Sequence, residues 1–166
     1  RNIKEHPNPV FLFVDEAANF LFPTDESFQE RARSNRICTV YLAQTLHSYM
    51  NGFKGNHHAA HALLGNLALK VFHQSGDTFT NQYAADLIGQ KWMTVGSWNT
   101  STNPNDTGSG GGSDAVHYEV LPREFGNLRT GGLRNNLIVE GIVFAGGRHF
   151  DATGSSWMKV EFKQGE

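Results

Sequence analysis

Val10-Phe11-Leu12-Phe13-Val14-Asp15-Glu16 is an apolar run that ends in two adjacent carboxylates. The unbroken series Phe11 to Val14 predicts a strand over 9–14, buried on both faces as in a parallel sheet. Such a strand is unremarkable, but two consecutive acids at its tip need a reason. One reason is chemical: the first carboxylate holds the water shell of Mg²⁺ and the second polarises an attacking water. The other is local: the acids cap the following turn. The seven residues alone leave both open.

Working outward, 15–22 reads as a loop or short helical turn stopped by Pro23. Thr24 or Asp25 caps a helix over about 26–35. Residues 37–43 form a second strand with Gln44 at its tip. Residues 47–56 read as a loop rich in Gly and Asn. A helix over 57–67, a strand over 68–73 and a helix over about 79–88 follow, the last capped by Asp77 or Thr78 and ended by Gly89. This alternation predicts an α/β fold with a mainly parallel sheet and right-handed crossovers. The 99–115 stretch is too polar and glycine-rich to build a core and is expected to be a flexible linker. Its Gly108–Ser113 piece reads equally as an inserted linker or a natural loop. Beyond it, 137–144, 149–150 and 157–162 alternate apolar and polar residues and are expected as antiparallel edge strands.

The 166 residues suffice for one core, and a net charge of −2 supplies no global basic field toward nucleic acid. The single Cys38 excludes a disulfide framework and is expected as a buried reduced thiol. No run is long and apolar enough for a membrane span. The chain begins at Arg1, not Met, and reads as a piece of a longer protein.

Hydrophobic-strand-Asp-Glu is the Walker B pattern of P-loop ATPases, yet the phosphate-cradling G-x-x-x-x-G-K-[ST] is missing from this sequence. In that chemistry Asp15 is the ligand of Mg²⁺ through water, and Glu16 is the general base for attack on a γ-phosphate. Gln44 stands where open α/β sheets place their ligands and would face the γ-phosphate or the attacking water; a loop amide satisfied by backbone is its other reading. Arg31, Arg33 and Arg36 cluster, either as a solvated helix face or with one acting as a finger on a neighbouring subunit's nucleotide. His57, His58 and His61 lack a third metal ligand at suitable spacing and read as surface histidines. Tyr49, Phe53 and Lys54 could stack and pair with single-stranded bases, or simply pack.

Taken together, Pro9 to Ala17, Phe28 to Arg36, Thr39 to Thr45, Leu64 to Phe72, Gly76 to Asn81 and Ala84 to Gly89 resemble the C-terminal half of the ATPase domain of TraG/TraD-type coupling proteins of type IV secretion. The resemblance implies a RecA-like P-loop NTPase half-domain. It divides the chain into a Walker B-containing part (1–98), the linker (99–115) and a C-terminal β-rich part packing on the same sheet (116–166). It implies ATP and Mg²⁺ in the longer parent, with none expected on this piece, which is expected to be inactive alone. It also implies hexameric assembly and a place at the cytoplasmic face of the bacterial inner membrane, with the membrane reached only through a missing N-terminal region. DNA-relaxase or effector protein substrates and secretion channel components are the implied partners. Asp15 and Glu16 fall on the Walker B acids, and Gln44 on the polar residue of the next strand. Arg33 and Arg36 fall in the segment of a trans finger, and Asp77 and Asn81 near a subunit interface. A non-catalytic module that docks adaptors for such a machine is the competing reading; a DNA-processing P-loop motor outside conjugation is a third.

Overall fold

The computed structural model describes residues 4–5, 7–22, 24–99 and 109–165. Pro23 and residues 100–108, to which the sequence assigns a helix stop and part of the linker, lie outside them.

Strand β1 (Val10–Val14) and strand β2 (Ile37–Tyr41) pair in parallel, with Val10 opposite Ile37 and Val14 opposite Tyr41. Helix α1 (Asp25–Ala32) makes the crossover and continues as a 3-10 turn over Arg33–Asn35. Asp25 and Glu26 in its first turn suit the positive end of the helix dipole. Thr24 sits at the N-cap but makes no side-chain cap bond; Asp25 instead accepts from the Phe22 amide at 2.8 Å.

The 47–56 segment is not a loop throughout. Leu46–Gly52 forms helix α2, because the Thr45 hydroxyl accepts from the Ser48 amide and Leu46, Tyr49 and Met50 share the buried face. Helix α3 (His57–Asn66) starts at an Asn56 cap. These two helices, with Ala17 and Phe53, build the first core around Leu63 and Ala60. Tyr49 and Phe53 belong to that core, so their rings are not available to stack bases.

Strand β3 (Leu69–Phe72) does not extend the parallel pair. It runs antiparallel to β6 (Ile138–Ala145), which pairs antiparallel with β7 (Trp157–Lys163). The expectation of a mainly parallel sheet is therefore corrected: among the described residues only β1 and β2 are parallel. Alternation of strands and helices encodes which segments are extended, not which edge each one finds, and two helices carry the chain from β2 to β3. Helix α4 (Thr78–Ile88) and the short α5 (Pro122–Gly126) close a second core of Ala84, Ala85, Ile88, Val120, Phe125, Leu128 and Ile142 over this sheet.

The linker expectation is also corrected for its second half. Gln90–Asn99 (β4) and Ser109–Tyr118 (β5) form a two-stranded antiparallel ribbon, in register from Gln90 opposite Tyr118 to Asn99 opposite Ser109. Cross-strand pairing holds β5 extended despite its glycines, and the Thr94 hydroxyl donates to Asp114 across the ribbon at 2.7 Å. Of the antiparallel strands expected near the C-terminus, β6 and β7 form; 149–150 contributes only the isolated bridge of Phe150 to Ser155.

The decisive strand is open. Phe11 and Phe13 are 60% and 69% exposed, their rings 6.4 Å apart, and Cys38 beside them is exposed rather than buried. On the opposite face Val14, with Tyr41 of β2, packs on the first core, while Val10 and Leu12 stay exposed. Burial on both faces requires a layer that these residues do not supply.

Candidate nucleotide-facing site

Parallel pairing brings the C-terminal tips of β1 and β2 to the same side. Two backbone bonds lock them together: Leu42 N–H donates to the Val14 carbonyl at 3.0 Å, and Ala17 N–H donates to the Leu42 carbonyl at 2.8 Å. Asp15 and Glu16 occupy the turn between these bonds. Asp15 Oδ1 accepts the Glu16 amide at 2.9 Å, leaving Oδ2 without a partner among the described residues. Glu16 adopts the left-handed conformation at φ 48°, ψ 43°, which costs a non-glycine residue about 1–2 kcal/mol. That strain turns the chain into a 3-10 turn over Ala17–Phe20, and Asn19 from this turn donates to Glu16 Oε2 at 3.1 Å.

Glu16, Ala18 and Asn19 line one side of an open depression of about 180 Å³; Ala43, Gln44 and Ser48 line the other. The two strand tips thus bring the expected base and the expected amide into one depression, with Asp15 adjoining it in sequence. Asn19 and Ser48 were not singled out in the sequence. The signals that mark them are Asn19 three residues beyond Glu16, one turn away, and Ser48 at the third position after the Thr45 cap.

The donor set suits a hydrated divalent cation: a carboxylate with a free oxygen, a second carboxylate, amides and a hydroxyl. It does not suit bare phosphates, since among the described residues no Lys or Arg lines the depression, while Glu16 does and Asp15 is its neighbour in sequence. A nucleotide here would need its cationic cradle from residues beyond these.

The arginines lie elsewhere. Arg33 and Arg36 precede β2, whereas Gln44 follows it, so the five-residue strand separates them by about 16 Å at its usual rise. Arg36 is left-handed at φ 52°, and its guanidinium donates to the Pro7 carbonyl at 2.7 Å. The Arg33 guanidinium is without a partner among the described residues. Asp77 and Asn81 serve the fold internally. Asp77 caps α4 through the Phe79 and Thr80 amides, and buried Asn81 donates to the Ser75 carbonyl at 3.0 Å. His57 Nδ1 lies 3.3 Å from the Met50 sulfur, and among the described residues no group of three His, Cys, Asp or Glu is placed to hold a metal.

The turn that carries Ala18 and Asn19 to the depression packs against one glycine. A Cβ on Gly52, in the last turn of α2, would lie 2.5 Å from the Ala18 carbonyl oxygen and 3.0 Å from Leu21 Cδ1. The backbone of the Ala17–Phe20 turn cannot yield without displacing Glu16. Gly52→Ala is expected to destabilise the chain by about 1–3 kcal/mol in urea unfolding, despite the higher helix propensity of Ala. An unchanged or raised midpoint would show that α2 and the turn are not in this contact.

A family model described as the TraM recognition site of TraD and TraG matches residues 9–124. Among solved structures, a bacterial conjugative coupling protein, TrwBdeltaN70 in its unbound monoclinic form, superposes with a TM-score of 0.64 at 20% identity. The superposition covers 94% of this chain and 32% of that one, so the chain spans about a third of the protein whose fold it shares. No curated protein matches the sequence.

Proposed function

The chain belongs to the family described as the TraM recognition site of TraD and TraG, and on that premise we propose that it is the acid-bearing part of an ATP-driven conjugative coupling motor. The observation that carries this reading is the convergence of Glu16 and Gln44 on one depression at the C-terminal tips of parallel strands. Asp15, next in sequence to Glu16 and with one carboxylate oxygen unpartnered among the described residues, would hold the water shell of Mg²⁺. Bound there, Mg-ATP would supply an electrophilic phosphorus, with the metal offsetting the phosphate charge. Glu16 takes the proton of the attacking water while Asn19 fixes its other oxygen, and Gln44 orients the water or a phosphate oxygen.

That no Lys or Arg among the described residues lines the depression supports a phosphate cradle supplied by other segments of a longer parent. The open face of Phe11 and Phe13 and the edge of β1, unpaired among the described residues, support the same, and further strands there would complete a RecA-like sheet. In a hexamer, Arg33 is the better candidate for a trans finger, since Arg36 would first have to release Pro7. The family's description makes a relaxosome protein the natural partner, with relaxase-bound DNA or effector proteins as cargo and a secretion channel as destination. No helix of the described residues is long and apolar enough to cross a membrane, so attachment to the inner membrane would come through other segments.

The second reading, a docking module without catalysis, is favoured by the family's description as a recognition site. ATP turnover separates the two. The 166-residue chain alone is expected to show no steady Mg-ATP hydrolysis, while the same residues joined to a P-loop-bearing segment turn over at about 1–100 s⁻¹. Turnover by the isolated chain would overturn the split-site account. Absence of turnover in the joined protein would favour the docking module.

A further inference from the structure

The Leu46 amide, in the first turn of α2, has no intrahelical acceptor. Its partner is 34 residues downstream: it donates to the Thr80 hydroxyl at 2.9 Å. That hydroxyl in turn donates to Asp77 Oδ2. An ionised carboxylate only accepts, so Thr80 must give Asp77 its proton and present lone pairs to Leu46. Asp77 is held in place by the Phe79 and Thr80 amides, which it caps, and by its own amide donating to the Ser75 hydroxyl at 3.1 Å. The Thr80 hydroxyl and these amides hold its carboxyl below the ordinary range, with a smaller contribution from His47. A second tie runs beside the first: the His47 ring stacks on Phe79 with centroids 4.5 Å apart.

These ties grip Leu46 and His47, which lie between Gln44 and Ser48, two residues lining the depression. Their other end is the first turn of α4. The far half of α4 is built into the second core through Ala84, Ala85 and Ile88. It is also bonded to the ribbon: the Tyr118 hydroxyl donates to Asp86 at 2.6 Å, and the Gln82 amide donates to that hydroxyl at 2.9 Å.

We propose that Thr80, oriented by Asp77, is a positioning residue that sets Gln44 in the depression and couples it to the β4–β5 ribbon through α4. The proposal rests on the reading of Gln44 as facing a nucleotide. A one-hydroxyl tie of this kind explains why an Asp and a Thr stand three residues apart at a helix start far in sequence from the depression.

The test uses Thr80→Val, which keeps the shape and removes the hydroxyl, and Thr80→Ser, which restores it. In the 166-residue chain, Thr80→Val is expected to speed hydrogen exchange of the Leu46 amide about tenfold, and Thr80→Ser to return it near the starting rate. In the joined ATPase, Thr80→Val is expected to lower kcat about five- to twenty-fold with KM for ATP within about twofold, again rescued by Ser. Unchanged Leu46 exchange in Thr80→Val overturns the tie. Accelerated exchange with kcat unchanged overturns the positioning role and leaves a helix cap. Full turnover in Gln44→Ala overturns the nucleotide-facing reading beneath the proposal, and it does so with Leu46 exchange still controlled by Thr80, so the two failures are distinguishable.

Discussion

Glu16→Gln in the joined ATPase is expected to lower ATP turnover by about 10²–10⁴-fold while nucleotide affinity stays within a few-fold, measured by steady-state hydrolysis and by binding of a labelled nucleotide. The substitution is nearly isosteric and keeps an oxygen that can accept from Asn19, so the left-handed turn and the depression persist. What it removes is the capacity to take a proton from water. On the proposed reading binding survives, because the phosphates would be held by groups outside this chain and Mg²⁺ by Asp15. Asp15→Asn should behave differently. Asp15 still accepts the Glu16 amide through a neutral oxygen but loses the charge that favours a hydrated cation, so the Mg²⁺ requirement rises along with the fall in rate. Retention of turnover within about threefold in Glu16→Gln would place the base elsewhere and leave the acid pair a structural cap.

The elements around this site were legible where the signal is local. β1 and β2 follow from apolar runs, α4 from Asp77 at its cap, and the acid pair from its place at a strand tip; α3 is expected over 57–67, and its Asn56 cap emerges from the structure. The misread elements depend on partners distant in sequence. Ser109–Ala115 has the composition of a linker and becomes a strand only because β4 lies alongside it. β3 looks like its parallel predecessors and finds β6 instead. Exposure of Phe11 and Phe13 cannot be read from apolarity, which says that a residue seeks burial, not that this chain provides it. α2 is the exception: its Thr45 cap and its Leu46, Tyr49, Met50 spacing are local signals, set among Gly and Asn residues that favour a loop. For the site itself, residue identity and strand order indicated Asp15, Glu16 and Gln44. The helpers Asn19, Ser48 and Thr80 emerge only from contacts, because each is an ordinary polar residue until its partner is known.

Glu140→Gln is expected to destabilise the chain by about 2–3 kcal/mol at pH 7, a large fraction of the margin of a small domain. Glu140 lies on β6 directly opposite Glu161 of β7, a like-charge cross-strand pair that would repel if left alone. Its side chain is only 8% exposed. Three donors resolve the conflict. Lys159 Nζ reaches Glu140 Oε1 at 2.8 Å, the Arg129 amide donates to Oε2 at 2.8 Å, and the Arg129 guanidinium bridges Glu140 and Glu161. Lys159, then the Arg129 amide, hold the Glu140 carboxyl down at about 2 against the opposing effect of burial. A glutamine cannot match this set, since its amide nitrogen would meet a donor where the carboxylate offered an acceptor. The pH dependence follows from the lowered value. The ionised form is favoured by folding, so the stabilisation is complete above the ordinary carboxylate value of 4.5, declines as pH falls below it, and is gone once pH has passed through about 2. Urea unfolding at pH 7 and pH 3 should therefore show a smaller difference between the parent and Glu140→Gln at the lower pH. A difference that is equal at both pH values, or below about 0.5 kcal/mol at pH 7, would mean that the carboxylate's charge is not what holds β6, β7 and the Arg129 segment together. The consequence reaches the depression, because β6 carries Ile142 into the second core on which α4 rests, and α4 is the element that grips the loop of Gln44.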